Sequence, residues 1–210
     1  MALFNKLLDT RRHSASSTAP LSPLERQATV AASTLAQHAA FLLRAPTALM
    51  QLTEQDALTV VGFMRPRLFK SGTEIIRQGE TADTGFMVLV LEGEITVENQ
   101  IARRATATTV KVLGPGSLIG EMSLVDGAAR SASCTASTEV QCAVLTREAL
   151  EALTAEQPTT AAKLMTAVAQ RLAERLRESS QKLQVTSKLV VTLQEEVDRL
   201  MPTPQGKQRG

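Results

Sequence analysis

A glycine-rich segment in the middle of the chain, GPGSLIGEMSLVDGAARSASCTA at residues 114–136, has the residue types of an anion-binding site. Its first two glycines permit a tight turn. The stretch 120–124 can form a short helical turn whose free backbone amides point at an anion. Arg130 adds a planar guanidinium that can hydrogen-bond two phosphate oxygens at once. The segment therefore predicts a phosphate site.

Three further residues narrow the ligand class. Ser131 adds a hydroxyl and, with Ala132, further backbone donors. Glu121 is the exception, because a carboxylate beside a phosphate is repulsive unless a group donates a hydrogen bond to it. A ribose hydroxyl is the natural donor, as in dinucleotide-binding folds. The alternative is a mutual salt bridge between Glu121 and Arg130 in a protein that has lost its ligand.

Composition excludes several other classes of protein. The 210 residues carry 23 Lys and Arg against 21 Asp and Glu, and aromatic residues make up 2%. The balanced charge and the lack of aromatic stacking platforms argue against direct DNA binding. Cys134 and Cys142 form no metal-ligand or disulfide pattern, and no catalytic triad or carboxylate pair emerges, so we expect a metal-free protein that is not an enzyme. With no apolar run long enough for a transmembrane segment and no secretory signal, we expect it to be cytoplasmic.

The periodicity of the apolar residues predicts an α+β fold. Helical spacing runs over 24–44 and again from Thr53 to Pro66. Between Leu68 and Leu145 the period falls to two, with turn residues every eight to twelve positions, which is typical of an antiparallel β-roll (a jelly-roll-like double-stranded β-helix) flanked by short helices. The strand candidates are 74–77, 86–91, 94–98, 108–113, 131–136 and 140–145.

After Thr146 the helical period returns, and beyond Pro158 about forty residues contain neither Gly nor Pro. Two heptad positions form an apolar seam, which predicts dimerisation through a coiled coil. Polar Ser179 and Thr186 within it would fix the register. The seam residues are Met165, Ala169, Leu172, Leu176, Ser179, Leu183, Thr186, Val190, Leu193, Val197 and Leu200.

These patterns divide the chain into four parts. Residues 1–46 form an N-terminal extension with a flexible linker and an Ala-rich helix, and 47–157 form the β-roll. Residues 158–201 form the long lid and dimerisation helix. Residues 202–210 form a disordered tail.

The glycine-rich segment resembles the phosphate-binding cassette of the cyclic-nucleotide-binding domain family, in its GEMSL core and in Arg130-Ser131-Ala132. KSGTEIIRQGE at 70–80 and LEGEITV at 91–97 also resemble turns of that family, and the resemblance covers about 47–178. It implies that cAMP or cGMP binds inside the roll, with no other cofactor. Glu121 would contact the ribose 2′-hydroxyl and Arg130 the cyclic phosphate. The assisting groups would be Gly120 and the backbone amides of Met122, Ser123, Ser131 and Ala132. Ala129 stands where many members carry proline, so the loop is expected to be less rigid.

In this family the long C-terminal helix covers the base, often from both chains of a dimer. Residues 183–187 resemble the stretch that does so in the catabolite activator, but their distance from Arg130 argues against that role here. Carrying the spacing forward from Arg130 favours Leu172, Arg175 and Ser179 as the lid. The alternative for Arg175 is a solvated charge on the coiled coil.

Catabolite-type regulators continue into a DNA-binding helix-turn-helix, whereas this sequence ends at MPTPQGKQRG. We therefore expect a stand-alone cyclic-nucleotide sensor that relays binding through its dimer helix to an unknown effector protein in trans. Two alternatives stay open. One is a ligand-free structural scaffold with a degenerate cassette, and the other is a site repurposed for cyclic di-GMP.

Overall fold

A computed structural model of the chain describes residues 33–99 and 108–200. The predicted linker, the first part of the predicted Ala-rich helix and the predicted tail lie outside the described residues. The predicted division into four parts is not tested by the structure and stays a prediction.

Two helices precede the strands. Helix α1 (Thr34–Leu43) begins after Ser33, which has extended backbone angles and caps the helix with its side chain. Helical spacing was predicted over 24–44, and the structure shows that Ser33 within this range is not helical, whereas residues 24–32 lie outside the described part of the chain. Helix α2 (Glu54–Val61) begins with a capping box between Thr53 and Asp56. It ends at Val61, with Gly62 as its C-cap, and not at Pro66, which belongs to the first strand.

The strands form two four-stranded sheets, with the orders β1-β8-β3-β6 and β2-β7-β4-β5. All recorded pairings are antiparallel, which confirms the predicted β-roll within an α+β fold. The six predicted strands lie within two residues of observed ones, whereas β1 and β6 were not predicted. The strands are β1 (Arg65–Phe69), β2 (Glu74–Ile76), β3 (Phe86–Glu92), β4 (Ile95–Asn99), β5 (Thr108–Leu113), β6 (Leu118–Ile119), β7 (Ser133–Ala136) and β8 (Val140–Thr146).

Strand β3 separates the two hydrophobic clusters of the domain. Its side chains alternate between faces, as in any strand. Val88 and Val90 point into the interior of the roll, whereas Met87 and Leu89 pack against the helices. Both faces are buried, which explains why the sequence of this strand is an unbroken apolar run.

Helices α3 (Glu121–Asp126) and α4 (Arg147–Glu156) precede the long helix α5 (Pro158–Leu200). With 43 residues, α5 is about 65 Å long. Its first turns are buried against the domain through Ala161, Leu164 and Val168, whereas every residue from Arg175 to its end is exposed. In the described part of the chain, none of the helices combines the length and apolar character that a bilayer crossing requires.

An ion pair fixes the start of α5 to α2. The Asp56 carboxylate is buried and accepts hydrogen bonds from Lys163 Nζ at 3.0 and 2.9 Å. It also accepts a hydrogen bond from the Thr53 hydroxyl at 2.6 Å. The first turns of α5 are thus fixed by both apolar packing and charge.

Candidate functional site

A cavity of about 510 Å³ lies between the glycine-rich cassette (residues 114–136), strands β4 and β5, and helix α5. Its volume is within the usual range for small-molecule sites. The structure brings together at this cavity nine of the predicted site residues, namely Gly120, Glu121, Met122, Ser123, Arg130, Ser131, Ala132, Arg175 and Ser179. Leu172 does not line it, because this side chain is partly buried against the cluster formed by the helices.

The first turn of α3 faces this cavity. Gly120 precedes the helix with a φ of 77°, and no side chain caps the helix there. The first backbone N–H groups of a helix have no partner within the helix, so the amides in this turn are available to a ligand. Ser123 is buried and Met122 half-exposed, and the Ser131 hydroxyl lies 4.0 Å from Met122 Sδ. Several donors therefore converge on one end of the cavity.

Arg130 is 3% exposed and held from several sides. Its backbone N–H donates to the Glu80 carbonyl at 3.0 Å. Its guanidinium donates to the carbonyls of Gly120 at 3.0 Å and Phe86 at 3.1 Å, and stacks 4.3 Å from the centre of the Phe86 ring. Burial lowers the pKa of Arg130, while Glu80 acts in the opposite direction. Arginine nevertheless stays charged in proteins, so this end of the cavity has a fixed cation.

The space for this guanidinium depends on the glycine at 120. A Cβ built on Gly120 would lie 2.6 Å from Arg130 Nη1 and 2.9 Å from the Phe86 carbonyl oxygen. Its positive φ also disfavours any side chain. Gly120 is therefore required both by the turn into α3 and by the position of Arg130.

Glu121 is 2% exposed and forms an ion pair with Arg175 of α5, through Oε1 and Nη1. A salt bridge between Glu121 and Arg130, the alternative considered from the sequence, is not among those that the structure records. Half of the Arg175 side chain is covered and it contacts the cassette, so it is not a fully solvated charge on the coiled coil. Its role in the lid over the base stays a prediction. The long helix is thus tied directly to the acidic residue of the cassette.

Several cavity residues were missed by sequence reasoning. Helix α5 contributes Arg171, Glu178 and Lys182, and β5 contributes Lys111 opposite Val97 of β4. Residues 171, 175, 178 and 182 repeat at helical spacing, a signal that was available in the sequence. The predicted lid of Leu172, Arg175 and Ser179 did not include the other charged positions of this face.

The cavity is rich in positive charge. Five basic residues and two acidic residues line it, namely Lys111, Arg130, Arg171, Arg175 and Lys182, and Glu121 and Glu178. Such a concentration of one sign attracts anionic ligands. The wall also contains Cys134, and burial raises the pKa of its thiol to about 11, which keeps it protonated at neutral pH.

Comparison with known proteins gives a match to the model of the cyclic nucleotide-binding domain over residues 66–157. Among curated relatives, the cyclic AMP receptor protein of Thermus thermophilus is 32% identical over 59% of this chain and 56% of its own length. A cyclic nucleotide-gated potassium channel of Rhizobium etli is 35% identical over 47% of this chain and 25% of its own length. The chain thus spans between a quarter and just over half of these relatives.

Solved structures agree with this assignment. A cyclic nucleotide-binding domain from Methylobacillus flagellatus superposes with a TM-score of 0.60 at 28% identity, covering 71% of this chain and 82% of that one. The catabolite activator protein of Thermus thermophilus gives 0.57 at 31% identity, over 65% and 61%. Residues 66–157 thus match the cyclic nucleotide-binding domain family, and the roll and the cassette agree with the fold of its solved relatives.

Proposed function

We propose that the protein is a sensor of cAMP or cGMP in which the cassette binds the cyclic phosphate and ribose, and α5 covers the base. The observation that carries this proposal is the buried Arg130 guanidinium at the cavity end where the α3 amides converge. An arginine fixed in this way is pre-organised, so little conformational entropy is lost when an anion binds.

The roles of the individual groups follow from their positions. Two backbone carbonyls orient the Arg130 guanidinium, and its other N–H groups would donate to the two exocyclic oxygens of a cyclic phosphodiester. Backbone amides of Met122, Ser123, Ser131 and Ala132 line the same cavity and would complete the phosphate shell. Glu121 would accept a hydrogen bond from the ribose 2′-hydroxyl.

The relay in this proposal begins at Glu121. Its carboxylate is held by Arg175 of α5, so a ribose hydroxyl that binds Glu121 must share it with that guanidinium or displace it. A second contact runs from Arg147, at the start of α4, whose Nη2 donates to the Ser123 carbonyl at 3.1 Å. Ligand binding therefore acts on both helices that follow the roll, and shifts the population of their positions.

We further propose that α5 forms a homodimer. Its exposed half carries an apolar seam on two heptad positions, including Leu176, Leu183 and Val190, each more than half exposed. Such a row is costly in water and is the usual face of a two-stranded coiled coil. In this proposal a separate effector protein binds the dimer helix, and its affinities for the nucleotide-loaded and the free dimer differ.

Calorimetric titration of the full chain with cAMP, cGMP and cyclic di-GMP tests the ligand. Binding of either cyclic mononucleotide at micromolar concentration or tighter supports the sensor. Tighter binding of cyclic di-GMP would mean that the ligand of this site is a cyclic dinucleotide. Absence of heat with all three, checked by a displacement assay with a fluorescent cyclic nucleotide, would leave the ligand-free scaffold as the function.

A further inference from the structure

The cavity extends beyond the groups assigned to phosphate and ribose. Arg175 marks the ribose position through its contact with Glu121. Glu178 and Lys182 follow on the same face of α5, and Lys182 is seven residues beyond Arg175, or about 10 Å along the helix axis. A nucleotide whose phosphate lies at Arg130 would place its base between these side chains and the roll.

The opposite wall of this end is formed by β4 and β5. Val97 supplies an apolar surface that suits the face of a purine, and Lys111, its register partner on β5, lies on the same face of the sheet. Lys111 and Lys182 are exposed, and neither takes part in the salt bridges recorded for residues 33–99 and 108–200. Lys111, Lys182 and Glu178 all line the cavity, so a base at this end would have two ammonium groups and one carboxylate available to its edge.

We infer, on the basis of the proposed function, that this end of the cavity selects guanine over adenine. An ammonium group donates hydrogen bonds and accepts none, while guanine presents two adjacent acceptors, O6 and N7. Lys111 and Lys182 are the donors for these atoms. Guanine also carries donors at N1 and N2, which can bind both oxygens of one carboxylate, and Glu178 supplies that carboxylate.

Adenine fits these groups poorly. Where guanine has the O6 acceptor, adenine has an amino group, whose hydrogens would face the ammonium groups. Adenine can give the Glu178 carboxylate only a single amino donor, so one of the two hydrogen bonds is lost. Leaving charged groups without their partners on ligand binding is the physical basis of strong discrimination between similar ligands.

The test is the ratio of the dissociation constants for cAMP and cGMP, measured by displacement on the full chain. We expect cGMP to bind at least about tenfold more tightly than cAMP, which corresponds to one lost hydrogen-bonding pair. In the double variant Lys111→Met/Lys182→Met the ratio is expected to fall to about one to threefold. Removing two positive charges weakens the binding of both anionic nucleotides alike, and this effect cancels in the ratio of their dissociation constants.

The control is Lys188→Met, which removes an exposed lysine of the same helix that does not line the cavity. It is expected to keep the ratio of the unaltered chain. Equal binding of the two nucleotides, or preference for cAMP, would overturn the guanine inference and leave the sensor proposal intact. A cGMP preference that survives in the double variant would overturn the assignment to these lysines. Failure of both nucleotides to bind would overturn the sensor proposal itself.

Discussion

Glu121 of α3 and Arg175 of α5 form an ion pair across the cavity, so the acidic residue of the cassette and the long helix are joined directly. The carboxylate is almost fully buried, whereas the arginine side chain is 49% exposed. A ligand that reaches Glu121 therefore acts on the contact that holds α5 against the cassette. This pair connects the binding site to the element proposed to carry the signal.

Replacing the arginine of this pair should uncouple α5 from the cassette. In Arg175→Ala the Glu121 carboxylate loses its cation, and we expect a loss of about 1–2 kcal/mol in the free energy of unfolding, since the exposed arginine is partly screened by water. We also expect nucleotide to change the hydrogen exchange of α5 less than in the unaltered chain. Arg177→Ala, an exposed arginine of the same helix outside the cavity, is the control. A normal exchange response in Arg175→Ala would contradict the relay.

A methyl group at Gly120 should displace Arg130. Gly120→Ala places its Cβ against the guanidinium and the Phe86 carbonyl, so we expect nucleotide affinity to fall by at least about tenfold. Gly72→Ala is a matched control, because Gly72 also has a positive φ of 82° but nothing lies within 4 Å of the added atom. Equal losses of affinity in the two variants, measured by calorimetry, would mean that backbone strain rather than the position of Arg130 is responsible.

Stability at acidic pH should depend on Asp56 and Lys163. Desolvation raises the pKa of Asp56, but hydrogen bonds from Thr53 and Lys163 outweigh it, and the pKa lies below the ordinary value of 3.8. Because the folded pKa is lowered, the carboxylate stabilises the fold above that ordinary value, and this contribution is lost as the pH falls through the folded pKa.

In Lys163→Met the main cation beside Asp56 is gone, and we expect its folded pKa to rise. The variant should then be less stable than the unaltered chain at neutral pH and lose less stability on acidification, so that the two profiles from urea unfolding converge at low pH. Lys188→Met, which lies on the exposed part of α5, should keep the original profile. Identical acid profiles for Lys163→Met and the unaltered chain would rule out this account of Asp56.

Substitution of two valines of α5 tests the proposed homodimer. Val190 occupies a seam position and Val185 does not, and their exposures are 59% and 69%. We expect Val190→Asp to shift the chain towards a monomer in sedimentation equilibrium, because a charge in the seam has no partner there. Val185→Asp should leave the mass unchanged. A dimer that persists in Val190→Asp would require another interface.

Local patterns predicted most of the fold. Alternating apolar residues predicted six strands, and the GEMSL core with Arg130-Ser131-Ala132 predicted the cassette. Strand β1 was missed because Pro66 lies in it, and proline in a sequence argues against a strand unless the strand lies at an edge, as β1 does. The two-residue β6 is too short for any periodicity to appear.

The residues of the lid were harder to predict, because they depend on how α5 is rotated about its axis. Leu172 and Arg175 are three positions apart, yet one packs into the helical cluster and the other reaches the cassette. Lys111 and Lys182 are far apart in sequence and meet at one cavity only after folding. A local sequence pattern cannot predict that two residues so distant in sequence line the same cavity.

The central claim, that Arg130 binds a nucleotide phosphate, is tested most directly by titrating Arg130→Ala with cAMP and cGMP beside Arg177→Ala. Circular dichroism and thermal unfolding establish that both variants are folded at the temperature of the titration. We expect Arg130→Ala to lose about 2–5 kcal/mol of binding free energy, because a desolvated phosphate is left without its cation, and Arg177→Ala to bind normally. Unchanged affinity in folded Arg130→Ala would contradict the account.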